Sequence, residues 1–426
     1  MRNFACIVLL LAFPAAAAAQ TATDPEMERR LRALEAQVQT LMAEIAALKA
    51  KAGEPSPAAA PSPLPSPEPP SAPAAAPTGG QEHHGGPPPV YGGTSSKPLN
   101  PDVGMIGNFL GAVGSSGGGS SSVAPIPALT LQESEASFQA IVDPYARADF
   151  FLAIGEEGIE AEEGYITFPT VPGGLLIKAG KMRANFGRLN AFHNHTLPWI
   201  DRPLVMFNLL GGATGDPDTG IKDAGISVSR LLPVGGLFVE ATGEVFRGDS
   251  GTLFTSTRRQ DVSTIGHLRA YHDLSESTNL EVGGSYARGH NDQGSDFLTQ
   301  LYGADATLRW RPLRRAIYHS FAGRAELMWS RREEPAGLQR AFGGFVSADY
   351  RVNRRWFLGG RYDWSDRARE ADVRDRGFSA VATFWPSEFT QIRGQYRRTR
   401  FGDGPAANEF LFQTLFTIGA HGAHPF

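Results

Sequence analysis

Leu301-Tyr302-Gly303-Ala304-Asp305-Ala306-Thr307-Leu308-Arg309-Trp310 and Phe321-Ala322-Gly323-Arg324-Ala325-Glu326-Leu327-Met328-Trp329-Ser330 carry one pattern twice. In the first, Tyr302, Ala304, Ala306, Leu308 and Trp310 share one phase of a two-residue period, and Asp305, Thr307 and Arg309 share the other. In the second, Phe321, Gly323, Ala325, Leu327 and Trp329 alternate with Arg324, Glu326 and Ser330. A period of two belongs to a strand, whose successive side chains point to opposite faces. The character of the two faces decides the class. A soluble sandwich turns its apolar face inward and must fill a core with it. Here the apolar face is thin and smooth, with aromatic residues at its ends. That suits lipid, with aromatics at the two water interfaces, while a face bearing charges of both signs suits a water-filled lumen.

The pattern recurs on either side of these stretches. Ala136, Phe138, Ala140 and Val142 alternate up to a turn at Asp143-Pro144, and Ala146, Ala148, Phe150, Leu152 and Ile154 then oppose Arg147 and Asp149. Leu237, Val239, Ala241, Gly243 and Val245 oppose Phe238, Glu240, Thr242 and Glu244; Trp356, Leu358, Gly360, Tyr362 and Trp364 oppose Arg361 and Asp363. Phe410, Phe412, Thr414, Phe416 and Ile418 share a phase that runs on to Phe426. A closed barrel pairs every backbone amide in hydrocarbon. The expected fold is therefore all-β: a transmembrane antiparallel β-barrel over 101–426. It has about sixteen strands, the number typical of porins that leave an aqueous channel.

The residues before 101 read differently. Arg2, the apolar run Ile7 to Phe13 and the small residues Ala15 to Ala19 read as a signal peptide over 1–20. Cys6, the single cysteine, falls inside it, so the mature chain is expected to hold no disulfide. Met27, Leu31, Leu34, Val38, Leu41, Ile45 and Leu48 form a heptad repeat, which predicts a short periplasmic coiled coil over 21–52. A linker rich in Ala, Pro and Gly follows over 53–100, with a composition that cannot build a packed core. The net charge of −4 gives no reason to expect nucleic acid as a partner. No G-x-S-x-G elbow occurs: Gly225-Ile226-Ser227-Val228-Ser229 has Ser where the last Gly belongs, and no enzyme is expected.

Gly180-Lys181-Met182-Arg183-Ala184-Asn185-Phe186-Gly187 closes a strand and leads through a loop to Leu197-Pro198-Trp199-Ile200-Asp201-Arg202-Pro203-Leu204. This pair of runs resembles the phosphate-selective porin O/P family of Gram-negative outer membranes. The strand Val103 to Phe109 and the N-terminal coiled coil are similar to that group as well. The resemblance implies a sixteen-stranded trimeric barrel, constricted by inward loops and lumen arginines. A terminal Phe looks like the assembly signal of such barrels, which implies that the barrel assembly machinery is engaged through Phe426. The chain departs from the family in one respect. Past the linker only Lys178, Lys181 and Lys222 remain, so phosphate selection is not carried over.

By phase, the pore-lining candidates are Arg147, Asp149, Arg269, Asp305, Arg309, Arg324, Glu326, Arg361, Asp363, Arg393 and Arg397. Such residues set a field that sorts permeants by charge, unless they neutralise one another across the wall. Lys181, Arg183, Asp201 and Arg202 are the constriction-loop candidates, with Asp201-Arg202 favoured as a pin of loop to wall. His193 and His195 flank Asn194, a spacing able to share a metal, but no acid lies close in sequence and ordinary loop histidines are the favoured reading. No metal and no cofactor is expected. The expected function is a diffusion channel for small solutes with weak anion preference, in outer-membrane lipid, as a homotrimer. The alternative is a structural tether that reaches the cell wall through the coiled coil.

Overall fold

A computed structural model describes residues 101–115, 126–156, 158–211 and 219–419, together with Ala36. The signal peptide, the linker, Phe426 and all of the coiled coil except Ala36, which is helical, lie outside the described residues. The strands in chain order are β1 (Asp102–Ser115), β2 (Leu129–Leu131), β3 (Ser134–Asp143), β4 (Ala146–Gly155), β5 (Gly158–Val171), β6 (Leu175–Arg183), β7 (Lys222–Val234), β8 (Leu237–Phe246) and β9 (Ser263–Ser275). They continue as β10 (Thr278–Asn291), β11 (Gly294–Trp310), β12 (Ser320–Glu334), β13 (Gly337–Arg351), β14 (Trp356–Arg367), β15 (Glu370–Ser387), β16 (Thr390–Arg400) and β17 (Ala406–Gly419).

Every strand from β3 onward pairs antiparallel with the next, and β1 closes the ring on β17 from Gly104↔Gly419 to Ser115↔Asn408. On its other edge β1 pairs with β2 at Phe109↔Leu131 and with β3 at Asp102↔Gln139. β2 and β3 are thus two halves of one barrel strand, broken at Gln132-Glu133, where Gln132 N–H still donates to Asn108 O at 3.2 Å. The result is a closed barrel of sixteen staves, and no edge strand is left unpaired. Short turns join the strands at the end that holds both barrel termini. The opposite end carries the longer connections 184–221 and 247–262.

The burial pattern is inside out. Arg361, Asp363 and Glu326 are 2%, 1% and 1% exposed, whereas Leu358, Tyr362 and Val346 are 49%, 44% and 46% exposed. Charges face in and apolar side chains face out, as the alternating phase requires. The outer wall stays smooth where glycines face aromatics. A Cβ at Gly107 or Gly111 would collide with the ring of Phe416 or Phe412, which cross these positions from β17. None of the described helices is long and apolar enough to cross a membrane.

Val346 lies outward in the interior of β13. Replacing it with Arg should cost roughly 2–4 kcal/mol in a bilayer, and Leu should cost almost nothing. Urea unfolding of barrels folded into vesicles reads both. An arginine variant as stable as its parent would show that this face does not meet lipid.

Candidate functional site

The connection 184–221 folds into the barrel instead of away from it. Its base is tied by Ala184 N–H to Ile221 O at 2.9 Å and by the Asn190 amide. That amide donates to Ala184 O at 2.8 Å and Ile221 O at 2.9 Å and accepts from Ile221 N–H at 2.7 Å. Arg202 holds the turn between: its guanidinium donates to Asn194 Oδ1, Leu189 O and Phe192 O at 2.9, 3.2 and 2.6 Å. A short helix α1 (Leu204–Leu210) follows, all of it buried, and ends at Gly211 with φ +65°. A helix apolar but for one residue, Asn208, which donates to Asp375 of β15 at 3.0 Å, belongs in a core. This one packs against β12, β13, β14 and β15 from within.

The loop meets the wall around its circumference. Asn185 donates to Glu244 on β8 through its backbone at 2.8 Å and its side chain at 2.7 Å. Gly187 N–H donates to Ser285 Oγ on β10 at 2.8 Å, and Arg188 pairs with Glu281. Gly187 has φ +59°, and a Cβ there would collide with Glu326 on β12, so only glycine passes this point. Leu197 O and Trp199 O accept from Arg393 on β16, both at 2.9 Å. Trp199 lies edge-on to Phe345 of β13, and the Arg361 guanidinium sits 4.8 Å above its ring centroid. Ile200 shares a small hydrophobic cluster with Leu110 of β1 and Leu411 of β17.

Asp201 is the strongest tie. It pairs with Arg361 at 3.1 Å and Arg397 at 2.9 Å and accepts from the Gln395 amide. Burial alone would raise its carboxyl, but the two guanidiniums outweigh burial and hold it to about 2. Arg188 moves down to about 9, through burial and then repulsion from Arg309, with Glu281 opposing. It remains a cation at neutral pH.

The pore-lining candidates all face inward, and most are paired there. Arg147 binds Asp149 at 2.7 Å, Arg269 binds Glu240 at 3.0 Å and Arg309 binds Glu281 at 3.3 Å. Arg324 pairs with Asp349, Arg361 with Asp363 at 2.8 Å, and Arg397 with Glu409 at 2.6 Å. Glu326 accepts the Leu189 amide at 3.3 Å. Arg393 is held by neutral acceptors: the two loop carbonyls, Thr383 Oγ1, Gln413 and Gln391. Arg361, Arg393 and Arg397 are therefore loop anchors more than water-facing charges. Asp305 lines a small polar pocket between loop and wall, together with Arg188, Glu240, His267, Arg269 and Glu281.

Of the four constriction-loop candidates, Asp201 and Arg202 lie in the loop. Lys181 and Arg183 do not: β6 runs through Arg183 because its register with β7 continues to Arg183↔Lys222. Lys181 bonds Glu160 at 3.2 Å, and Arg183, fully buried, bonds Glu162 at 2.7 Å. His193 was placed among ordinary loop histidines because no acid is near it in sequence. The fold brings three, with Glu135, Glu162 and Glu163 oxygens at 2.7, 3.2 and 2.8 Å from its ring nitrogens. Burial opposes a charge on this imidazole, but Glu162 and Glu135 outweigh it and raise its pKa well above the ordinary value.

Phase counting missed a second group. Arg311, Arg314 and Arg315 sit in the turn after β11, and Arg351, Arg354 and Arg355 sit around the turn after β13. None of the six forms an ion pair among the described residues. Burial, then Arg309 and Arg324, lower the Arg311 guanidinium below its usual value. The sequence signal for them is the pair of runs Arg311-Pro-Leu-Arg314-Arg315 and Arg351-Val-Asn-Arg354-Arg355, which break the strand period.

No protein-family model matches the chain. An uncharacterized protein of Aquifex aeolicus (strain VF5) is 28% identical over 339 residues, covering 70% of each chain. Among solved structures, the anion-selective porin from Comamonas acidovorans aligns with a TM-score of 0.50 at 12% identity, covering 75% of this chain and 99% of that one. OprB of Pseudomonas putida aligns at 0.50 with 9% identity, covering 76% and 94%. The loop-deleted OmpT of Vibrio cholerae aligns at 0.50 with 11% identity, covering 75% and 100%. At these identities the likeness shows the fold: a barrel of the outer-membrane porin type.

The Asp201 tie has a defined pH dependence. A carboxyl held to about 2 in the fold, against about 3.9 when unfolded, stabilises the docked loop above pH 4 and loses that contribution as pH falls through 2. The contribution is roughly 2 kcal/mol. Amide exchange across 197–204 should therefore quicken between pH 4 and pH 2. Asp201→Asn should exchange fast throughout, with no step. A step that survives in the asparagine variant would assign it to another group.

Proposed function

We propose that the chain forms a porin-type channel in the outer membrane, passing small solutes by diffusion with weak anion preference. The supporting observation is the arginine group at the end of the barrel that holds its termini. Arg311, Arg314, Arg315, Arg351, Arg354 and Arg355 stand there without carboxylate partners among the described residues, beside the mouth of the lumen. Guanidinium keeps its charge at any working pH, so this mouth carries a permanent positive field. The preference is weak because the charges further in are largely paired, and paired charges contribute little net field. The porin-type fold, and the description of one structural neighbour as an anion-selective porin, support the same reading. Phosphate selection is not part of it, since Lys181 and Lys222 lie 3.2 and 3.9 Å from Glu160.

The barrel sits in outer-membrane lipid as a homotrimer, with the N-terminal region in the periplasm and assembly engaged through Phe426. A trimer form is described for OmpT of Vibrio cholerae, which has a similar barrel. On this proposal the coiled coil over 21–52 is the segment that would reach the cell wall. A second reading, a closed barrel acting only as a tether, is favoured by one observation. The loop meets the wall around its circumference, from β8 and β10 to β16 and on to β3 and β5.

Planar-bilayer recording separates the two. The channel reading expects discrete conductance steps and a reversal potential on the anion side of a salt gradient. Replacing Arg314, Arg315, Arg354 and Arg355 together with Ala should shift that potential toward cations while the heat-modifiable gel band is kept. A folded barrel without conductance would leave the tether. A potential unmoved by the four substitutions would remove the arginine mouth from the account.

A further inference from the structure

His193 is the most heavily bonded group in the loop that the channel reading leaves unused. It lies between Phe192 and Asn194, well inside the barrel, and two strands meet it. β3 brings Glu135, with Glu133 just before it, and β5 brings Glu162 and Glu163. All five side chains are buried, at 7% exposure for His193, 2% for Glu135 and 1% for Glu162. Four buried carboxylates gather here around His193, with the Arg183 guanidinium on Glu162. Buried charges are ordinarily paired or bound to metal.

The contacts divide into two kinds. Arg183 donates to Glu162 Oε1 through Nη2 at 2.7 Å and Nε at 3.2 Å, which fixes that carboxylate and leaves Oε2 over. Glu163 Oε1 lies 2.8 Å from His193 Nε2 and orients the ring; a cation binding at Nδ1 would displace the proton that the carboxylates otherwise hold there. The leftover atoms gather in one place. His193 Nδ1, Glu135 Oε2 and Glu162 Oε2 lie within 4.8 Å of one another. Each is buried, and none has a hydrogen-bond partner of acceptable geometry. Nδ1 is 2.7 Å from the Glu135 oxygen and 3.2 Å from the Glu162 oxygen. Ligand atoms about 2.0–2.2 Å from a tetrahedral zinc ion stand roughly 3.3–3.6 Å apart, so the Nδ1–Glu135 pair would open by about half an ångström to admit the ion. His195 Nδ1 is 3.6 Å from the same Glu135 oxygen, at the border of the group.

We propose that Glu135, Glu162 and His193 bind a divalent first-row transition cation, zinc by preference, which fastens the lumen loop to β3 and β5. The donor set selects the ion. Imidazole with two carboxylates suits zinc, whereas calcium and magnesium take oxygen ligands. Three protein ligands leave one position open for water or a fourth side chain. Glu163 on the far nitrogen of His193 and Arg183 on the far oxygen of Glu162 are the outer partners that orient metal ligands. Glu133 and Glu135, two residues apart on one stave, both turn inward toward the loop. The proposal does not rest on the channel reading, because a tether with a closed lumen would hold the ion equally well.

The test uses the full mature chain in detergent, stripped with chelator, dialysed and titrated with zinc by calorimetry, with metal content read by mass spectrometry. The parent should take up about one zinc per chain, with a first shell of nitrogen and oxygen by X-ray absorption. Glu135→Gln and His193→Gln should each lose at least tenfold in affinity, and His195→Gln should stay within a factor of three. Glu162→Gln is avoided, because it would strand Arg183 and risk the fold. The heat-modifiable band certifies that each variant is folded. A folded parent that binds no zinc, or folded Glu135 and His193 variants that bind it as the parent does, overturns the site.

Discussion

A backbone inside a membrane has no water to bond, so every amide between Asp102 and Gly419 that meets lipid must find its partner in the sheet. That constraint closes β1 on β17 and sets everything else. A closed sheet has an outside and an inside, and the two-residue period sorts the side chains between them. Val346, Tyr362 and Leu358 go to lipid, and Arg361, Asp363 and Glu326 go to the interior. Charge sent inward then has to be neutralised, because a buried unpaired ion costs several kcal/mol. The ladder of arginine–carboxylate pairs along β8 to β17 follows from closure as much as from any demand of transport.

The loop 184–221 exploits that ladder. It offers backbone carbonyls to Arg393, a carboxylate to Arg361 and Arg397, and amides to Glu244, Glu326 and Asp363. A loop with fewer polar groups would leave wall charges unmatched. A wall with fewer charges would not hold a loop this apolar in place. Asp201 is central because one carboxylate answers two guanidiniums from different strands, and removing it would leave both buried with less than their charge requires.

Strand phase was legible because lipid and lumen impose opposite demands on neighbouring residues. Phe410, Phe412 and Phe416, or Arg147 beside Ala148, can be assigned without coordinates. The pin at Asp201-Arg202 was legible in outline, since an acid and an arginine between Trp199 and Pro203 have few other uses. The partners were not, because Asp201 meets Arg361 and Arg397 at separations of 160 and 196 residues. Lys181 and Arg183 belong to β6 and not to the loop, and the sequence gives no sign of this: the first glycine past Gly180 is Gly187, four residues beyond the strand's end. The acids around His193 lay on other strands, and a local search for ligands could not reach them. The arginine turns were passed over because attention to alternation discounts whatever interrupts it.

The separation between loop and anchors also sets an order of events. Arg393 and Arg397 are made almost two hundred residues after the carbonyls and carboxylate they receive, so docking must wait for β16. Until then the nascent chain carries Trp199, Val205, Leu209 and the rest of α1 with no interior to enter. Such contacts, distant in sequence, are the slowest to form and the most exposed to misassociation on the way. The stretch that finishes the interior is therefore the chain's chief hazard before the barrel closes. A carrier that shields apolar segments would matter more for this loop than for the alternating strands around it.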